Sequence, residues 1–209
     1  MFVTNQKQIC VIGAGASGLA AIKQCLHQNF HVCFFDKNDS LGGLWRYREK
    51  TINGVASGPK ITIITSLKEI SAFSDFPPLN EYPNFMDSSK MYQYFELFAT
   101  YFDLLRHIRY KNTVRNIAPN DDYEETGKWK VTIFNGDENK LFEREFDGVM
   151  VCVGHHSKPY IPKFPDQDLF NGKILHTCSF KTAKDFEDKV AVVVGIRNSG
   201  ADAAADFSN

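Results

Sequence analysis

The 209-residue chain has no long apolar run, no excess of charge of either sign and no closely spaced cysteine pair, and each of these absences removes a class of function. No apolar stretch approaches the roughly 18 residues that a membrane-spanning helix needs, so any membrane association is expected only through sequence beyond Asn209. The net charge is -1, with 23% charged residues distributed along the chain, so a polyanion-binding surface is not expected and nucleic acid is excluded as a partner. The five cysteines (Cys10, Cys25, Cys33, Cys152 and Cys178) are odd in number and scattered, without a C-x-x-C pair. They read as reduced packing residues in a reducing compartment, not as disulfides, redox centres or metal ligands. At the N-terminus there is no basic, hydrophobic and small-residue order of a secretory signal.

What remains is an ordinary globular composition, 43% apolar, long enough for one or two domains with real cores. Residues 8–12 predict a buried strand, 13–18 a glycine-rich break, 19–27 a helix, and 31–35 a second buried strand closed by Asp36. This order is a βαβ unit, which requires a parallel sheet with a right-handed crossover. Residues 88–105 predict a helix in which Met91, Tyr94, Phe95, Phe98, Tyr101 and Phe102 recur at three- and four-residue steps, an aromatic stripe read as core. Residues 128–134 and 140–146 predict alternating strands joined through Asn135-Gly136, and the acidic run 120–125 before them a solvated turn. Further apolar strands are expected at 148–153 and 189–194. The second of these leads into Gly195, Asn198, Ser199 and Gly200 and the start of a helix, the opening of a second βαβ unit.

Gly13, Gly15 and Gly18 form G-x-G-x-x-G between a strand and a helix, with Asp36 at the end of the next strand. In that context each glycine has a physical task. Gly13 permits the tight turn, Gly15 lets the backbone approach a pyrophosphate, and Gly18 allows helix and strand to pack closely. The candidate cofactor-binding set is therefore Gly13, Ala14, Gly15, Ala16, Ser17 and Gly18, whose helix start offers free amides to an anion, together with Asp36. A carboxylate at 36 suits ribose hydroxyls and repels a 2′-phosphate, so this first site favours FAD or NAD over NADP. Gly43, Leu44 and Trp45 of the following Leu-Gly-Gly-Leu-Trp run suit a chain passing close along a dinucleotide.

The series resembles the flavin-containing monooxygenases, of the dimethylaniline monooxygenase kind. The resemblance rests on Gly13 to Gly18 with Asp36, on Leu41 to Trp45, on Lys68-Glu69 leading to Phe73-Ser74-Asp75-Phe76-Pro77, and on Val151 to His156. It rests most on Phe170-x-Gly172-x-x-x-His176-x-x-x-Phe180, which is similar to the family's identifying motif and stands just before the second nucleotide loop. The resemblance implies an α/β fold. Residues 1–160 would be the first portion of a Rossmann-type FAD domain with parallel sheet and β-meander, and residues 161–209 the start of a Rossmann-type NADP domain. It implies FAD and NADPH as cofactors, oxygen as co-substrate, and transfer of one oxygen atom from the flavin C4a position to soft nitrogen or sulfur of small amines or sulfides. It also implies an endoplasmic reticulum membrane location, with this segment itself in the aqueous phase. The adjacent His155 and His156 have no third ligand at metal-site spacing, and His176 reads as a structural member of the motif.

Three positions depart from the family pattern, the mildest being Asp36, where the family usually has the longer Glu and the reach to the ribose is shortened. Thr65 and Ser66, the candidate catalytic and flavin-facing pair, stand where the family usually has Asn followed by a small or polar residue. In the second loop, whose candidate NADP set is Gly195, Arg197, Asn198, Ser199, Gly200, Ala201 and Asp202, Arg197 replaces the middle glycine and is expected to weaken NADP binding. These departures motivate two alternatives within the family, an NADPH oxidase and a catalytically silent FAD-binding protein. A flavin disulfide reductase would require a redox cysteine pair that the sequence lacks.

Overall fold

A computed structural model describes residues 6–208. The elements are β1 (Gln8–Ile12), α1 (Ala16–His27), β2 (His31–Phe35), α2 (Ser88–Tyr101), β3 (Ile108–Arg109), β4 (Asn112–Pro119), the single-turn α3 (Tyr123–Thr126), β5 (Trp129–Asn135), β6 (Lys140–Phe146), β7 (Gly148–Val151) and α4 (Asn198–Ser208). The chain divides into two compact units, the first made of residues up to Gly43, Phe73–Phe76 and Gln93–Gly154, the second of Leu44–Ala72, Pro77–Tyr92 and the chain from His155 onward.

The first unit holds an all-parallel sheet in the order β3-β2-β1-β7 and an antiparallel meander β4-β5-β6. Alternation along β1 and β2 divides their side chains between two layers. Cys10, Ile12, Cys33 and Phe35 join Val131, Ile133 and Phe146 of the meander in one buried cluster. Phe34 lies on the other side against α1, which buries Gly18, Leu19, Ile22 and Cys25. Burial, with the neighbouring Cys33 adding to it, pushes the Cys10 thiol up to about 12, so it stays protonated and acts as a small apolar side chain. All five cysteines are free, and Cys10, Cys25 and Cys33 are buried.

The aromatic stripe of α2 packs mainly as core: within the first unit Tyr94, Phe95 and Phe98 are buried and surround Phe73 with ring centroids 4.0 to 5.9 Å apart. Tyr101 departs from that expectation and is 72% exposed, because the helix ends there and Asp103, at φ +54°, turns the chain so that Leu104 is buried instead. The Tyr94 hydroxyl accepts from the Phe73 amide at 2.8 Å and donates to the Phe76 carbonyl at 2.5 Å. Lys23 pairs with Asp75 and lies over the Phe102 ring, so residues 73–76 are fixed from both sides.

One expectation is corrected, and two features were not announced by the sequence. Residues 189–194 form no strand. Val190, Val192 and Val194 are 99%, 85% and 71% exposed, and no described segment pairs with them, since a strand exists only as part of a ladder. Residues 112–119 are a strand that the hydrophobic period does not announce. In the loop between β5 and β6 the left-handed residue is Asn139 at φ +51°, while Asn135 Oδ1 accepts from the amides of Asp137 and Glu138 and Gly136 stays within the ordinary backbone range. No helix among the described residues is long and apolar enough to cross a membrane.

Because the Tyr94 hydroxyl satisfies two backbone groups, Tyr94→Phe should destabilise the chain by about 1–3 kcal/mol, the cost of stranding them. Urea denaturation followed by circular dichroism checks this, and a midpoint equal to that of the unchanged chain would contradict it.

Candidate dinucleotide and flavin site

In the first unit the chain leaves β1 through Gly13 at φ +101°, a left-handed conformation that a side chain strains. A Cβ there would also stand 2.4 Å from the Cys152 carbonyl oxygen, next to the end of β7. Gly18 is needed for contact alone, since a Cβ on it would lie 1.8 Å from the Gly13 carbonyl oxygen and 3.2 Å from the Phe34 ring. The turn therefore closes only with glycine at both ends. Gly15 precedes α1 in extended backbone and accepts from the Leu19 amide at 3.0 Å, and Gly43 passes it so closely that a Cβ on Gly43 would stand 3.2 Å from the Gly15 Cα. No acidic side chain stands in the first turn of α1. The amides of Ala16, Ser17 and Gly18 have no acceptor within their own helix, so the helix start presents donors and the positive end of its dipole. These residues fit a pyrophosphate.

Asp36 continues from β2 and is 5% exposed. Its Oδ2 accepts from the Ala14 amide at 2.6 Å and its Oδ1 from the Asn38 amide at 2.7 Å. Each carboxylate oxygen keeps a second lone pair for a ligand hydroxyl.

In the second unit a cavity of about 590 Å³ is lined by Leu44 and Trp45, by Thr65 and Ser66, and by Asn198, Ser199 and Asp202, the last three from the start of α4. Residues singled out for the flavin and for the second nucleotide thus face one cavity. Thr65 and Ser66 are exposed to it, and the Ser66 and Ser71 hydroxyls are 2.6 Å apart. Asp202 sits beside Thr62. Burial raises its carboxyl above the usual range, and the Thr62 hydroxyl holds back part of the rise without closing a hydrogen bond of good geometry. Ala201 is exposed and does not line the cavity.

The second loop reproduces the glycine geometry of the first. Gly195 has φ +116°, a Cβ on Gly200 would stand 2.2 Å from the Gly195 carbonyl oxygen, and the Arg197 carbonyl accepts from the Gly200 and Ala201 amides at 2.8 and 2.9 Å. Arg197 is exposed and the turn forms around it, so the side chain does not prevent the loop from closing.

Several cavity residues escape the glycine motifs: Tyr47, Thr62, His155, His156, Lys158 and Cys178. His155 and His156 had a usable signal, since they come shortly after β7, beyond Cys152, Val153 and Gly154, and ligands of open α/β sheets bind beyond the carboxyl ends of strands. The Phe170 to Phe180 motif makes local packing and hydrogen-bond contacts, and its His176, Thr177 and Cys178 also line the cavity. The Phe170 ring occupies the space a Cβ on Gly172 would take, His176 Nδ1 accepts from the Cys178 amide at 3.2 Å, and Phe180 is buried with its ring 5.3 Å from Phe207.

A glycine-locked strand-to-helix turn, an acidic residue ending the second strand and a second such turn later in the chain define an α/β protein with two nucleotide-type loops. The chain belongs to the flavin-binding monooxygenase-like family, whose profile matches residues 6–209. It is 42% identical over 206 residues to flavin-containing monooxygenase 5 of Rattus norvegicus, across 98% of this chain and 38% of that protein. Over 205 residues it is 40% identical to the N-oxide-forming dimethylaniline monooxygenase 2 of Macaca mulatta, across 97% of this chain and 38% of that protein. Its fold superposes on S-allyl-L-cysteine S-oxygenase from Allium sativum with a TM-score of 0.89 and 25% identity, covering 97% of this chain and 49% of that one. The chain thus spans well under half the length of the curated relatives it matches.

The two glycines divide fold from binding. Gly18→Ala should lower the thermal midpoint by several degrees and abolish flavin binding. A methyl at position 15 meets only the Gly43 Cα at 3.8 Å, so Gly15→Ala should leave the midpoint nearly unchanged while weakening FAD about tenfold or more. Thermal scans and fluorescence titrations check the pair, and equal loss of stability in both would contradict the division.

Proposed function

We propose that the chain serves an NADPH- and FAD-dependent monooxygenase that oxygenates soft nitrogen or sulfur centres of small molecules. The observation that carries this reading is the single cavity lined by Trp45, Thr65, Ser66, Asn198 and Ser199, because hydride transfer needs the two cofactors side by side. In this reading residues 1–160 bind FAD and residues 161–209 open the NADP unit. Similarity to relatives named for N-oxide formation and S-oxygenation supports the substrate class.

Bound flavin would supply oxygen activation after accepting hydride, a chemistry no side chain can perform. The amides at the start of α1 would take its pyrophosphate, and Asp36 would accept from its ribose hydroxyls. Thr65 and Ser66 would face the ring with hydroxyl donors. Leu44 and Trp45 would exclude water from one side of the cavity, which strengthens every polar contact inside it. Asn198 and Ser199 would receive the second nucleotide, with Arg197 at the loop where the family pattern has glycine. Attachment to the endoplasmic reticulum membrane belongs to this proposal as well, through sequence other than the residues described here.

A reading with less catalytic power, an NADPH oxidase or a silent FAD-binding protein of the same family, is favoured by two residues. Thr65 offers one rotating donor where a planar amide could donate and accept together. Arg197 places a bulky side chain where a pyrophosphate would approach the backbone.

Two substitutions separate the readings in protein that turns over with NADPH. Arg197→Gly should tighten NADP+ in equilibrium titration, and tighter binding with Arg197 in place would make its guanidinium a phosphate ligand. Thr65→Asn should raise the ratio of oxidised substrate to released hydrogen peroxide, by up to about a hundredfold if the amide replaces a lost well-aimed donor, while the rate of flavin reduction stays nearly constant. Tightly coupled turnover with Thr65 unchanged would contradict that role.

A further inference from the structure

We infer that Asp36 is a positioning residue for the first dinucleotide turn as well as a ribose acceptor: its carboxylate holds the turn in its binding shape before any ligand arrives. This rests on reading that turn as the seat of the FAD pyrophosphate. Four backbone and side-chain bonds fix the residue. The Asp36 amide donates to the Arg109 carbonyl at 3.1 Å, and its carbonyl accepts from the Asn112 amide at 2.9 Å. The two carboxylate oxygens accept from Ala14 and Asn38. A buried carboxylate held this way carries a rigid, charge-assisted acceptor to the middle of the glycine turn.

Ala14 is the residue so held. It is fully buried, its amide donates to Asp36, and its carbonyl accepts from the Gly42 amide at 2.9 Å. The peptide on one side of the glycine turn is therefore tied to the end of β2, and on the other to the segment that brings Gly43 against Gly15. Since the Ala14 amide is spent on Asp36, the donors left for a pyrophosphate are those at the start of α1. Ribose and pyrophosphate contacts become one coupled device, because the group that would receive the ribose also sets the angle of the amides that would receive the phosphates.

The second loop provides an internal contrast. Ile196 occupies the place that Ala14 has in the first loop, one residue after the left-handed glycine, and it is 96% exposed.

The test has two arms. In the flavin-free chain, amide exchange resolved by NMR should show Ala14 protected while Ala16 and Ser17 exchange freely, and Asp36→Ala should speed Ala14 exchange about tenfold or more without changing exchange in the β4-β5-β6 meander. Asp36→Asn, which keeps the shape and should keep the fold, is titrated in parallel with FAD and with its 2′,3′-dideoxyadenosine analogue, whose adenosine ribose has no hydroxyl to offer Asp36. A turn-holding role predicts that the substitution weakens both flavins by a similar factor, about tenfold. If Asp36→Asn weakens FAD but leaves the dideoxy analogue untouched, and Ala14 exchange is unchanged, Asp36 acts through the ribose alone and the inference is overturned. If the unchanged chain binds neither flavin, the FAD reading fails, and the exchange arm still decides whether Asp36 holds the turn.

Discussion

At Gly13 the backbone of the first unit leaves a buried strand at φ +101°, and the helix that follows can start only because nothing but hydrogen stands on Gly18, beside the Gly13 carbonyl. The sheet order, the packing of α1 on Phe34 and the approach of Gly43 to Gly15 all assume that closure. Any side chain at either end must push apart elements that are themselves buried, since Val11, Leu19, Ile22 and Phe34 are fully enclosed. Interiors packed to this density cannot absorb the shift gradually. The turn is therefore a folding constraint and, in the proposed reading, also the binding surface, because the helix start at its centre presents amides with no acceptor in their own helix.

Much of this was legible in the sequence because each feature is local. β1, β2 and β6 fall where hydrophobic runs bounded by breaks place them, and the glycine spacing announces both loops. β4 was not legible: Asn112-Thr113-Val114-Arg115-Asn116-Ile117-Ala118-Pro119 lacks a clean period of two, partly because a bulge falls between Val114 and Asn116, and its pairing with β5 defines it as a strand. The reverse error arose at residues 189–194, where an apolar run with strong strand propensity has no described ladder to join. The cavity was legible only in part, since Tyr47, Thr62, Lys158 and Cys178 come from separate stretches with no shared spacing.

The two loops show how one geometry serves unequal sites. Both begin with a left-handed glycine and end with a glycine seated on its carbonyl, so both close by the same steric rule. The first is enclosed by a sheet, a helix and the Asp36 carboxylate. Arg197, at the place of the middle glycine, leaves the turn intact but changes what can approach it. The two loops thus differ in charge, with the Asp36 carboxylate at the first and Arg197 in the second.

In the proposed function the first turn recognises a dinucleotide through its pyrophosphate. Equilibrium dialysis of the chain against FAD and against riboflavin, which has the ring but neither phosphates nor adenosine, tests this most directly. FAD should be retained and riboflavin should bind about a hundredfold more weakly or worse, having nothing to place on the amides of Ala16, Ser17 and Gly18. Equal retention of the two would place recognition in the ring-facing cavity and contradict the role given to the glycine turn.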